Sequence, residues 1–212
     1  MENKLKEIIA AVKPLDMEAM DKAKKRQAQL AKPPGSLGKL EDISVQLAGI
    51  TGEVINQIKK RRLIVLASDN GVVAEGVAST PKSVTLSQTI NLTRGITGAS
   101  ALAHYFGDEV VVVDMGVEAS YNCPQVLNRK IAYGTKNLAV EPAMTREQAL
   151  QAINTGIELA LDAKKDGVDI IGVGEMGIGN TTTSAAVLSA LLNLPAEETT
   201  GRGAGLDDEG LA

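Results

Sequence analysis

Three short, largely apolar runs, at residues 63–67, 110–113 and 168–173, are separated by long stretches of helical periodicity. That alternation limits what this chain can fold into more than any other feature. The first run, Leu63-Ile64-Val65-Leu66-Ala67, is uninterrupted and bounded by polar residues, the pattern of a strand buried on both faces. Ile131-Ala132-Tyr133 is a weaker strand candidate. Helices are expected at 83–105 and 145–165. The second opens with Thr145 and Gln148 at capping-box spacing, carries Ile153, Ile157 and Leu161 on one face, and closes on Lys164, Lys165 and Gly167. Strands alternating with helices build βαβ units, so the expectation is an α/β chain with a Rossmann-like parallel sheet.

The first sixty residues follow a different rule. Leu5, Ile8, Ile9 and Val12 fall on one helical face ahead of Pro14, and a polar helix is expected from Asp16 to Ala31. Its Lys24-Lys25-Arg26 run reads as a solvated face. Lys32-Pro33-Pro34-Gly35-Ser36 breaks the chain, after which Leu40, Ile43, Leu47, Ile50 and Val54 resume a helical period. The division expected is a helical small-domain segment over 1–60 and a substrate-binding α/β domain over 61–212.

Composition removes several classes of chemistry. One cysteine (Cys123) leaves no internal disulfide and no cysteine-rich zinc module, and one histidine (His104) argues against a multi-histidine metal site. A net charge of -4 and four aromatic residues supply neither the cationic field nor the stacking platform that nucleic acids require. The apolar runs are too short to span a bilayer, and the mixed-charge start is not a signal peptide, so a cytoplasmic location is expected.

A parallel sheet binds ligands at the carboxyl ends of its strands. After the first expected strand come Asp69, Asn70, Gly71, Glu75 and Gly76, material for hydroxyl binding or acid/base work, or equally for an Asx-type turn. After the third come Gly172 to Thr183, then a helix expected over 184–192. Glycines there permit close backbone approach, and the helix start offers free N–H groups and the positive end of its dipole, the makings of a phosphate cradle. Gly172, Gly174 and Gly177 formally satisfy G-x-G-x-x-G, but a dinucleotide-binding dehydrogenase is the weaker reading. Glu175, beside the cradle, suits the cationic or N–H-bearing end of a substrate. A second glycine-rich loop, 200–210, carries Arg202, able to hold an anion bidentately, and ends in Asp207-Asp208-Glu209, the acids of a helix start. The sequence stops before that helix is expected to form, which suggests an incomplete chain.

Taken together, several ordered stretches resemble the nicotinate-nucleotide–dimethylbenzimidazole phosphoribosyltransferase family. They are Lys32 through Glu41, Asp69 through Val77, Val84-Thr85 with Gln88, Val113 through Val117, Gly134 through Asn137, Pro142 through Thr145, Gly174 through Thr182, and Thr200 through Gly210. The resemblance implies transfer of phosphoribose from nicotinate mononucleotide to 5,6-dimethylbenzimidazole or a similar base, giving α-ribazole 5′-phosphate and nicotinate. It also implies a homodimer, small-molecule partners only, and no cofactor or metal. Carried over by motif, Thr80 and Gln88 line the base pocket. Gly177, Ile178, Gly179, Asn180 and Thr181 hold phosphate and ribose, helped by Arg202, Gly203 and Gly205. Family members commonly carry His where Asn70 stands. They are also longer, with their base glutamate and a phosphate-contacting lysine in the C-terminal part. This chain then has an incomplete sheet, Glu175 is its own candidate for catalysis, and a binding-only fragment is the alternative reading.

Overall fold

The computed structural model describes residues 2–211. Contacts divide the chain into two compact units, Met1–Lys59 and Lys60–Ala212.

The first unit holds α1 (Glu2–Ala10), α2 (Met17–Gln29) and α3 (Lys39–Thr51). Asp16 caps α2 by accepting the Ala19 N–H at 2.9 Å. Ala19 and Ala23 of α2 meet Val45 and Ala48 of α3 in a small core. The approach is close because Gly49 has no Cβ: one placed there would lie 2.7 Å from the Met20 side chain. Lys32 bonds Glu41 at 2.6 Å across the Pro-Pro break. That ammonium, with the Leu37 N–H second, holds the Glu41 carboxyl below the usual carboxylate range. Lys24, Lys25 and Arg26 are exposed, as the charge pattern indicated. No residue of α1 is buried.

The second unit is a four-stranded parallel sheet of β1 (Arg61–Ser68), β2 (Glu109–Gly116), β3 (Val126–Asn128) and β4 (Ile170–Met176), in the order β3-β2-β1-β4. A 3-10 turn (Gly71–Glu75), α4 (Val84–Thr93) and α5 (Gly98–Tyr105) connect β1 to β2. The helix α6 (Arg146–Lys165) connects β3 to β4, and α7 (Asn180–Leu192), α8 (Ala196–Thr199) and α9 (Asp208–Leu211) follow. Strand alternation gives the sheet two apolar faces. On one, Leu92 of α4 packs with Val65, Val112 and Val126; on the other, Leu159 of α6 packs with Ile64 and Val113.

Several expectations need correction. The stretch 83–105 is two helices, because Gly95 turns the chain at φ +72° and Thr97 starts α5 with its own capping box. Gly95 is also where His104 packs: an added Cβ would sit 2.3 Å from its Nδ1. Residues 131–133 form no strand; the strand beside β2 is the three-residue β3. Ile131 N–H and Gly134 N–H still bond the Met115 and Gly116 carbonyls, so the segment follows the end of β2 without a ladder. Thr145 and Gln148 do make their capping box. The face of α6 that is buried, however, carries Asn154, Thr155, Leu159 and Ala163, and Ile153 and Leu161 are 47% and 45% exposed. The helix after β4 begins at Asn180, four residues before the expected 184. A one-turn helix does form over Asp208–Leu211. β4 lies at the sheet edge, with Val173 83% exposed.

Candidate functional site

The sheet order reverses direction between β1 and β4. From β1 the chain moves to β2 and β3 on one side, then returns past β1 to place β4 on the other. The crevice beyond the carboxyl ends of those two neighbours is where an open parallel sheet receives ligands. Asp69-Asn70-Gly71 leaves β1 there, and Glu175-Met176-Gly177 leaves β4.

Side chains lock the two exits together. Asn70 Nδ2 donates to the Ile178 carbonyl at 3.0 Å, and the Thr183 hydroxyl reaches Asn70 Oδ1 at 3.4 Å. From α4, the fully buried Thr85 accepts the Ile178 N–H on Oγ1 at 3.1 Å. Asp69, also buried, accepts the Glu118 N–H at 2.7 Å and so binds the end of β2. That bond spans 49 residues, so Asp69 ties two strand exits together and makes no local Asx-type turn among the bonds described. Glu75 accepts from Asn137 at the surface. Cys123 donates to Gln125 Oε1 at 3.4 Å, and His104 sits at the end of α5.

Two cavities open at these exits, one on each face of the sheet. The first, about 830 Å³ on the α4 face, is lined by Thr80, Gln88, Glu175, Met176 and Ile178. Thr80, Gln88, Ile178 and Glu175, singled out from sequence, therefore converge. The loop 200–206 lies close by. The Ser79 hydroxyl bonds the Ala204 carbonyl at 3.4 Å, and a Cβ on Gly203 would fall 2.7 Å from Thr181 Oγ1. Thr181 and Gly203 are thus neighbours at the start of α7. No side chain caps α7 among the described residues; the Asn180 N–H bonds the Gly177 carbonyl at 3.0 Å, and the Thr181 and Thr182 N–H groups are offered to a ligand. The second cavity, about 300 Å³ on the α6 face, shares Glu175 and Met176 with the first.

Other residues are engaged elsewhere. Gly177 and Gly179 are packing glycines: a Cβ on Gly177 would lie 2.1 Å from the Ser68 carbonyl, and one on Gly179 2.8 Å from Val73. Gly179 also has φ +82°, the left-handed region that glycine occupies without strain. Arg202 pairs with Asp208 and the Leu206 carbonyl inside its own loop. Gly205 has φ +114° and no neighbour within 4 Å of an added Cβ. Asn180 directs its amide at Glu175, donating to both carboxylate oxygens at 2.7 and 2.8 Å. Gly172 and Gly174 lie inside β4, paired with Leu63 and Val65. The formal G-x-G-x-x-G is therefore mostly strand and does not form the phosphate-binding turn of a dinucleotide fold.

Sequence reasoning missed Thr85 as the link between α4 and the 177–179 loop. The available signal was Thr85 and Thr89 one helical turn apart, on the face of α4 that the structure buries. It also missed the Asn180–Glu175 contact. Among the described residues no group of three or more His, Cys, Asp or Glu is placed to hold a metal ion, and no helix is long and apolar enough to cross a membrane.

Comparison with known proteins gives a consistent set of relatives. A family model described as Phosphoribosyltransferase matches residues 12–212. The nicotinate-nucleotide–dimethylbenzimidazole phosphoribosyltransferase of Ruminiclostridium cellulolyticum is 51% identical over 205 residues, covering 97% of this chain and 58% of the relative. That of Alkaliphilus metalliredigens is 50% identical over 210 residues, covering 99% and 60%. The crystal structure of CobT from Thermus thermophilus superposes with a TM-score of 0.88 at 42% identity, covering 92% of this chain and 59% of that one. The chain thus spans about three-fifths of the length of the relatives it matches.

Proposed function

The chain belongs to this phosphoribosyltransferase family, and from that premise we propose that it binds nicotinate mononucleotide and a benzimidazole-type base and moves phosphoribose from one to the other. One observation carries the reading: Thr80, Gln88, Ile178 and Glu175 line a single crevice at the switch point of the sheet, beside the uncapped start of α7. In this assignment the base lies between Thr80 and Gln88. The phosphate takes the Thr181 and Thr182 N–H groups of α7 with the Thr181 hydroxyl and Gly203, and Arg202 joins them if it exchanges Asp208 for the phosphate.

The chemistry follows from the charges. The bond from nicotinate to the anomeric carbon breaks with its electron pair returning to the ring nitrogen, which ends the pyridinium charge. A lone pair of the base forms the new bond on the opposite face, giving inversion. The base must then lose its remaining N–H proton. Glu175, held by Asn180 and bordering the crevice from the end of β4, is the carboxylate in this chain assigned to accept it and to stabilise the cationic ribose. The reading carries with it a cytoplasmic homodimer on a Rossmann-like sheet, a helical small domain over 1–60, and no metal or cofactor.

A second reading is a nucleotide-binding chain without turnover, in which the start of α7 holds the phosphate and Glu175 stays paired with the Asn180 amide. The experiment is incubation with nicotinate mononucleotide, with and without 5,6-dimethylbenzimidazole, followed by chromatography for nicotinate and α-ribazole phosphate. Base-dependent release of nicotinate above the enzyme-free control supports the transferase. Binding with no release in either arm assigns the chain to the second reading.

A further inference from the structure

The cavity on the α6 face has walls of a different kind from a phosphate site. Its volume, about 300 Å³, lies at the lower end for small-molecule pockets. Glu175 is its one charged lining residue, and no Lys, Arg or His faces it. An anion entering would meet like charge and no cation, so phosphate and nicotinate are excluded. Three of the six methionines of the chain, Met115, Met144 and Met176, line it. Thioethers adapt to flat rings and make favourable sulfur–aromatic contacts. Glu175 receives only the one Asn180 amide nitrogen in the bonds described, so a carboxylate with spare lone pairs borders an apolar, sulfur-rich chamber.

We propose that this chamber is a second binding site, for a neutral one- or two-ring heteroaromatic that donates a ring N–H to Glu175. It lies on the opposite side of the sheet from the crevice bounded by Thr80 and Gln88, and it requires no turnover. Because Glu175 and Met176 line both cavities, a ring seated on the α6 face fixes the carboxylate that the crevice uses. Occupancy of one site then alters affinity at the other.

Methionine-methyl NMR on the full chain separates the two sites. Met115 and Met144 line only the α6-face cavity, and Met176 lines both. With benzimidazole as the probe, saturable ring-current shifts at Met115 and Met144 are expected. 1-Methylbenzimidazole, which lacks the N–H, should bind there at least tenfold more weakly, and nicotinate should leave both signals in place. Ala152→Phe, which puts a ring into the chamber from α6, should abolish the Met115 and Met144 response while Met176 still reports on the crevice. Unmoved Met115 and Met144 signals at saturating benzimidazole would overturn the proposal, as would equal affinity for the N-methyl compound. In Ala152→Phe, a Met176 signal that no longer responds to benzimidazole would count against the transferase reading and leave this one standing.

Discussion

Replacing Thr85 with valine isolates a single hydrogen bond that holds the candidate site. Thr85 is fully buried on α4, and its Oγ1 accepts the Ile178 N–H at 3.1 Å. Valine has nearly the same shape, so packing is kept while the acceptor is lost. The Ile178 N–H is then left without a partner, at a cost of about 1–3 kcal/mol. With about 2–4 °C of melting temperature per kcal/mol for a unit of this size, a central value of about 2 kcal/mol gives a fall of about 4–8 °C. Thr85→Ser keeps the hydroxyl and loses one methyl, about 1 kcal/mol or about 2–4 °C. Thermal unfolding followed by circular dichroism ranks the three proteins, and hydrogen exchange reports on the Ile178 amide directly. Valine melting at or above serine, or an Ile178 amide that exchanges no faster in Thr85→Val, would refute the assignment.

Gly177→Ala forces a Cβ to 2.1 Å from the Ser68 carbonyl. It should cost about 3 kcal/mol, the upper end for overpacking, because the obstacle is backbone. Gly156→Ala in α6, where nothing lies within 4 Å, should instead stabilise by about 0.5–1 kcal/mol, and urea titrations of the pair test both signs. Arg62 bonds Asp166 at 2.7 Å and Glu109 at 2.8 Å, and holds the Asp166 carboxyl below the usual aspartate range. The stability this adds is present above the ordinary aspartate pKa and is lost as pH falls through the lowered one, so Arg62→Met should flatten the acid limb of stability against pH. Lys130 donates to the Val117 and Ala119 carbonyls, lies 3.3 Å from the buried Asp114 carboxylate and sits 4.3 Å from the centre of the Tyr133 ring. Lys130→Met should cost about 3 kcal/mol or more, and Tyr133→Leu only about 1 kcal/mol. Equal losses in denaturant melts would contradict that ranking.

The parts of the fold legible in the sequence are those set by local chemistry. The run 63–67 announces β1 because a strand covered on both faces needs apolar residues throughout, and Thr145 with Gln148 announces the start of α6 because a capping box closes within one turn. The parts that escaped depend on distant partners. The buried face of α6 is chosen by the sheet beneath it, which takes Leu159 and Ala163 and leaves Ile153 in solvent. β3 has three residues, too few to show a period, and exists because β2 offers it a ladder. In the site, the glycine-rich turn after β4 was visible, but Gly177 and Gly179 serve packing against β1 and the turn that follows it, a contact 108 residues away in sequence for Asn70 and Ile178. Thr80 and Gln88 became candidates through family resemblance, since by themselves they read as the polar approach to a helix.

The central claim is that nicotinate mononucleotide lies at the start of α7, against the loop 200–206. Amide chemical-shift mapping of the chain titrated with nicotinate mononucleotide tests it most directly. The account predicts saturable shifts at Gly177 to Thr181 and at Arg202, Gly203 and Gly205. Shifts confined to other surfaces, or none at saturating nucleotide, would contradict it.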